Sequence, residues 1–591
     1  MLIEQLASVR LIPGQDTLKT QNGLADVKCS QLSSGREGEF NMKRFSCALF
    51  AALFCGLVVA QQHPDHAQPA SKPATLMNGL GDLRHPVSTA NPEAQKFFDQ
   101  GLRLIYAFNH EEAARSFQQA AKLDPKMAMA YWGIAEAVGP NYNDPADPDR
   151  FKQAHEAIQK AGALAASASP SEKTYIAAMA LRFPADPDAD HRLAAERYRN
   201  AMGDLVKQFP DDLDAATLFA EAGMTLHPWG LWHSDGTPEG GTEEIVAALE
   251  SVLRRDPNHM GAIHYYIHAV EASPSPERAL AAANRLAALV PAAGHLVHMP
   301  GHVYIRTGDF EAAIRTNQLA ASADRDYIQA SGAMGMYPAM YYSHNLHFIA
   351  ACASMNGRYD EAHKAAGMLA AHVGPLVKDI PPLEGFMTVP LAVEVRFQKW
   401  DGILNLPQPD PAMKTTTVFW HFARGMALAA KGKIAEAEIE QRMVNEAADK
   451  TPPDQVFNMP VNNKAKDVLT IAANVLGAKV ALAKHDSANA ISMLRRAVAI
   501  QDSLRYDEPP DWFFPVRESL GAVLLLNGNA VEAEKVFRED LDRNPRNPRS
   551  LFGLSEALRA QNRTYDAQFV DKQFQSNWKA EETKLKIADL T

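Results

Sequence analysis

"GLRLIYAFNHEEAARSFQQAAKLDP", residues 101–125, reads as two amphipathic helices laid back to back across a short polar turn. Gly101, Ala113 and Ala120 are small enough to let the two helices approach closely. Phe117 fills the gap between them, and Pro125 ends the second helix. The same spacings return at Gly301, Tyr304, Gly308 and Ala313. They return again at Gly425, Gly432 and Ala437, and at Gly521, Gly528, Ala533, Phe537 and Pro545. From Pro92 onward apolar residues recur at helix spacing, with few β-branched runs between turn signals. A chain of 591 residues, 46% hydrophobic, suggests by size about three or four domains, but a repeat overrides that count.

These spacings resemble the tetratricopeptide repeat (TPR), a helix-turn-helix unit of about 34 residues. The resemblance runs from residue 91 to the end, with degenerate copies and insertions at 139–190 and 318–341. It implies an all-α fold, a right-handed superhelical solenoid of antiparallel helix pairs. The strings "FDQGLRLIYAFNHEEA", "YWGIAEAVGPNYN" and "HMPGHVYIRTGDFEAA" resemble exported bacterial TPR proteins, a likeness that implies architecture rather than activity. "LNLPQPDPAMK", residues 404–414, is a Pro-rich break that divides an N-terminal array, 91–403, from a C-terminal array, 415–591.

The net charge of −11 and pI near 6.0 leave no basic footprint for nucleic acid. Lys43 and Arg44 precede an uncharged, largely apolar run from Cys47 to Ala60. That run falls short of the ~20 residues that span a bilayer, so 42–60 is expected to be a signal peptide, with export to the periplasm or beyond and no span left after cleavage. Residues 1–41 read as an over-extended start or a disordered leader, and 61–90, rich in Pro, Ala, Gln and His, as a flexible linker. Cleavage before Gln61 would remove Cys29, Cys47 and Cys55 and leave Cys352 without a disulfide partner.

Ten of the 20 histidines lie between residues 227 and 347. In "HYYIHAVE" His264 and His268 stand four apart, on one face of a helix. His298 and His302 repeat the pair 34 residues later. With Gly301 at repeat position 8, His264 and His298 take position 5, His268 and His302 position 9, His295 position 2 and Glu271 position 12. The next unit places His344 at position 2 and His347 at position 5. The TPR resemblance implies that positions 2, 5, 9 and 12 line the concave groove where ligands bind. Seven histidines and one glutamate from three consecutive helices would then face one groove. Three or four neutral imidazoles suit Zn²⁺ or Cu²⁺, and seven suffice for two ions.

On that expectation the metal ligands are His264, His268, His295, His298, His302, His344 and His347, with Glu271 as candidate general base toward a metal-bound water. His227 and His233, in the Gly- and Pro-rich loop "LHPWGLWHSDGTPEGG", are candidate lid residues, and Arg306 a candidate anion contact. Met334, Met336 and Met340 would favour copper(I), although methionine also fills core gaps. His110, His155, His191, His363, His372, His421 and His485 read as packed or hydrogen-bonded side chains. No serine elbow, phosphate loop, haem-attachment motif or dinucleotide fingerprint is present. Three functions remain open: an exported metal-binding protein, with or without hydrolase or oxidative activity, a metal-free scaffold holding a peptide or protein in the groove, and a metal carrier or store.

Overall fold

Each helix of the first pair starts on a side chain that satisfies its exposed N–H groups. Asn91 accepts from the backbone of Glu93 and Ala94 ahead of Pro92–Tyr106, and Asn109 accepts from Glu112 ahead of His110–Leu123. The pair is locked by size. A Cβ on Gly101 would lie 2.6 Å from the Phe117 ring, and one on Gly133, in the following helix Ala128–Val138, 2.4 Å from it. Phe537 is held in the same way between Gly521 and Gly553 near the other end of the chain. The sequence unit is therefore also the packing unit: one aromatic ring seated on two glycines of flanking helices.

The computed structural model describes residues 74–186, 188–458, 463–580 and 584–591. Among them helix pairs follow one another in chain order, and no β-sheet forms; isolated bridges such as Trp232 with Pro238 are the sole extended pairings recorded. No helix among the described residues is long and apolar enough to cross a membrane. The expected leader, the signal peptide and residues 61–73 of the linker lie outside the described residues. The described residues from 74 onward form one compact unit. Segment 404–414 runs between the helices Trp400–Asn405 and Lys414–Ala430, and Leu391, Val395 and Ile403 before it share a core with Phe419 and Phe422 after it.

Residues 74–90, expected as a tether, are instead pinned along the first repeats. Leu80 is buried, Gly79 accepts a hydrogen bond from the backbone N–H of Ala292, and Gln100 holds both Thr75 and Met77. Composition missed this because the pins are backbone groups and a few polar side chains that linkers also contain. One pin titrates. His85 Nδ1 lies 2.8 Å from Asp214 Oδ2, and Asp214 also accepts from Tyr106 OH at 2.7 Å. Burial pulls the His85 imidazole down, but the Asp214 hydrogen bond and the carboxylates around it outweigh that and raise it to about 8.

A raised histidine stabilises the fold fully below its unfolded value of about 6.5, and that contribution is lost as pH climbs to about 8. The difference is worth roughly 2 kcal/mol. Hydrogen exchange at residues 75–90 is expected to quicken between pH 6 and 9, after correction for intrinsic rates, and His85→Gln to abolish that pH dependence. Unchanged protection across the range would rule the pin out.

Candidate metal centre

Three stretches of helix deliver the histidines. Met260–Glu271 carries His264 and His268. Gly294–His298 and Pro300–Arg306, one helix broken where Pro300 cannot donate a backbone hydrogen bond, carry His295, His298 and His302. Ser343–Asn356 carries His344 and His347 and follows a π-helical turn, Tyr337–Tyr342. Asp324 ties these pieces together: it accepts from Tyr337 OH at 2.9 Å and from Asn345 Nδ2 at 2.7 Å, and a Cβ on Gly294 would collide with it. Burial raises the Asp324 carboxyl to about 7.

Six of the seven predicted imidazoles converge as two groups of three. His264, His268 and His295 present ring nitrogens within 4.8 Å of one another, and so do His298, His302 and His344. The groups abut, with ring centroids 5.8 Å apart for His295 and His298 and 5.6 Å for His268 and His302. Both obey one register: repeat positions 5 and 9 of one unit with position 2 of the next. His347 departs from the expectation. Its ring stacks on Phe513 at 6.0 Å and meets Phe386 edge-on at 5.7 Å, so it walls the adjoining cavity rather than joining a group. Burial lowers it to about 3.

The outer nitrogens are tied back. His264 Nδ1 is 2.7 Å from the Tyr106 carbonyl, His298 Nδ1 2.6 Å from Asn317 Oδ1, and His268 Nδ1 2.7 Å from Glu271 Oε1. His302 Nδ1 lies 2.6 Å from Glu271 Oε2. Asn317 donates its amide N–H to Ala313 O, which leaves its oxygen as the acceptor for His298. An Nδ1–H held by an acceptor leaves the Nε2 lone pair pointing inward, the arrangement that orients histidine ligands in metal sites. The Nε2 atoms then crowd: His264 and His295 approach to 3.0 Å and His298 and His302 to 2.8 Å.

Burial and the neighbouring imidazoles hold His264, His295, His298 and His344 well below the usual histidine range. For His268 burial outweighs Glu271 and the shift is also downward. His302 goes the other way: burial lowers it, but the Glu271 charge and contacts with Glu271 and Glu508 raise it to about 10.

Glu271 does not stand as a general base. Both its oxygens are engaged by histidines, Tyr506 OH lies 3.4 Å from Oε2, and His302 and His268 overcome its burial to hold it well below the usual carboxylate range. Its place is that of an orienting residue shared by the two groups. Arg306 is held by backbone carbonyls. It donates from Nε to Glu271 O at 3.0 Å and from Nη2 to Ser273 O at 3.3 Å, with the Tyr506 ring beneath it. His233 is exposed beside Glu239, and His227 lies away from both groups. Their loop does reach the site, through Trp229, which meets His268 edge-on at 5.8 Å and donates to Asn143 Oδ1.

The face expected as an open groove is covered. Phe108 stacks on His295 at 5.3 Å and meets His264 at 4.5 Å. It occupies the left-handed turn position, φ 52°, that Gly308, Gly432 and Gly528 fill in other repeats. A loop from the C-terminal repeats places Tyr506, Glu508 and Pro509 against the second group. Sequence reasoning missed Phe108, Asn317, Tyr506 and Glu508. Asn317 carried a signal: it lies as far beyond Gly301 as Phe117 lies beyond Gly101, with a polar residue where the unit wants an aromatic one.

With its ring-on-glycine pairs and consecutive antiparallel helices, the chain is built as an all-α array of helical repeats. No protein-family model matches it, and no curated protein matches it. Among solved structures it is similar to the human IFIT1 dimer with m7Gppp-AAAA, at 12% identity, covering 83% of this chain and 91% of that one, with a TM-score of 0.32. A tetratricopeptide repeat protein from Parabacteroides merdae matches at 12% identity over 56% of this chain and 93% of its own, TM-score 0.28. The APC/C hetero-tetramer Cut9-Hcn1 matches at 12% identity over 79% and 76%, TM-score 0.29.

Proposed function

We propose that the two histidine groups hold two transition-metal ions, zinc or copper, and that the repeat array serves as their scaffold. The observation that carries this reading is the convergence of three ring nitrogens in each group to within 4.8 Å of one another, with His264, His268 and His298 held at Nδ1 so that Nε2 faces inward. An ion among three imidazoles satisfies all three and keeps a coordination position open, the pattern of catalytic rather than structural zinc sites. A hydrolase and an oxidative enzyme both fit that pattern. With Glu271 occupied, the carboxylate that lines the adjoining cavity and also touches a histidine of the second group is Glu508. Export through residues 42–60 belongs to the same proposal, since periplasmic proteins meet these metals outside the cytosol.

Elemental analysis of tag-free protein is expected to give two ions per chain. His295→Ala and His344→Ala each remove one, from different groups, and the double variant removes both. Metal-free protein from replete medium would end the proposal. A scaffold for protein partners, the general capacity of repeat arrays, predicts that result. It would have to place its partner elsewhere, because His264, His298 and His302 are all buried. A carrier or store predicts exchangeable ions held without turnover.

A further inference from the structure

Beside the histidine groups lies a cavity of about 160 Å³. Its floor is the inner edge of His268, His295, His302 and His344, and its walls are Trp229, Tyr341, Ile380, Phe386, Met340 and Pro509. Size sets the first limit on an occupant: a cavity of ~150 Å³ accepts one benzene ring. Charge sets the second. No lysine or arginine lines the cavity, whereas Asp144, Asp507 and Glu508 do, and the His302 ring on its floor is already matched by the Glu271 carboxylate, so an anion finds no spare cation among the side chains.

Hydrogen bonding sets the third limit. His268 Nε2 lacks a hydrogen-bond partner, and the residue is only 2% exposed. With Nδ1–H of His268 held by Glu271, its Nε2 is an acceptor. Buried acceptors without donors are costly, so the floor calls for a ligand that brings an O–H. Trp229 and Tyr341 offer ring faces and edges to an aromatic body, and Met336 stands exposed at the rim, where entry requires no opening of the core.

We infer that this cavity is the binding site for a single-ring phenol, seated between Trp229 and Phe386 with its hydroxyl directed at the histidine floor. The inference deepens the metal reading by naming the ligand class of the same site, and the metal would be met by that hydroxyl. The two are separable, because the size of the cavity and the charge of its side chains are the same with or without an ion.

Calorimetric titration with 4-methylphenol, benzoate and cyclohexane carboxylate tests it on metal-free and metal-loaded protein alike. The expected result is saturable one-to-one binding of the phenol and affinity at least about 10-fold weaker for either carboxylate. Met340→Trp fills the cavity and is expected to weaken phenol binding about 10-fold or more with metal content unchanged. Phe386→Ala enlarges it and shifts preference toward 2-naphthol. Absence of phenol binding in both forms, equal binding of benzoate, or undiminished binding by Met340→Trp would overturn the inference. Loss of the metal reading is registered separately, by elemental analysis before any phenol is added.

Discussion

Exchanging Glu271 for glutamine is expected to cost both histidine groups affinity, by about 10- to 100-fold for at least one ion. Glu271 accepts from His268 on one oxygen and meets His302 on the other, and glutamine has a single oxygen. Its amide N–H₂ must face one of the two Nδ1 atoms. That ring can answer only by moving its proton to Nε2, which points it at the metal position and removes a ligand. Glu271→Ala frees both rings to rotate and is expected to do worse. Competition with a chromophoric chelator, read for each ion separately, measures the effect. Wild-type affinity for both ions in Glu271→Gln would show that the carboxylate merely fills space.

The second large effect lies at a distance from the histidines. Arg396, at the end of Val389–Arg396, clasps Glu518 of Val516–Leu526 through two hydrogen bonds of 2.6 and 3.0 Å, with both side chains 3% exposed. Arg549 donates to the Arg396 carbonyl, and Asn547 donates to Glu518. Arg396→Met leaves a buried carboxylate without its cation, at a cost of about 3–5 kcal/mol. Hydrogen exchange is expected to accelerate along 389–396 and 516–526 and to spread into 504–513, the loop that covers the second histidine group. Because the loss comes from the stranded charge, Arg396→Met with Glu518→Leu recovers most of it. A single variant within 1 kcal/mol of the parent, or a double variant no better than the single, would disprove this account.

Helices, their pairing and the histidine register were legible in the sequence because each follows from local spacing. The Gly101, Phe117 and Gly133 interlock is a matter of side-chain size at fixed intervals, and His264 with His298 of a period. What spacing does not carry is closure. Glu508 reaches His302 from more than two hundred positions away in sequence, in a loop whose string "RYDEPPDW" has no periodicity. Glu271 was legible as a groove residue but its role was not, since an unoccupied carboxylate and one held by two imidazoles look alike in a string of letters. His347 shows the limit of register itself. Position 5 joins a histidine group in two units, but in the third, which follows the π-helical turn ahead of Ser343, position 2 alone reaches the group.

Both histidine groups take two rings from one repeat and the third from its successor. Linear arrays ordinarily unzip from their ends, each unit melting almost independently of distant ones. Here three successive units share rivets across their seams, so the middle of the array opens together or stays shut. Under rising temperature or pulling force, the terminal repeats fray first and residues 260–356 yield last, in a single step.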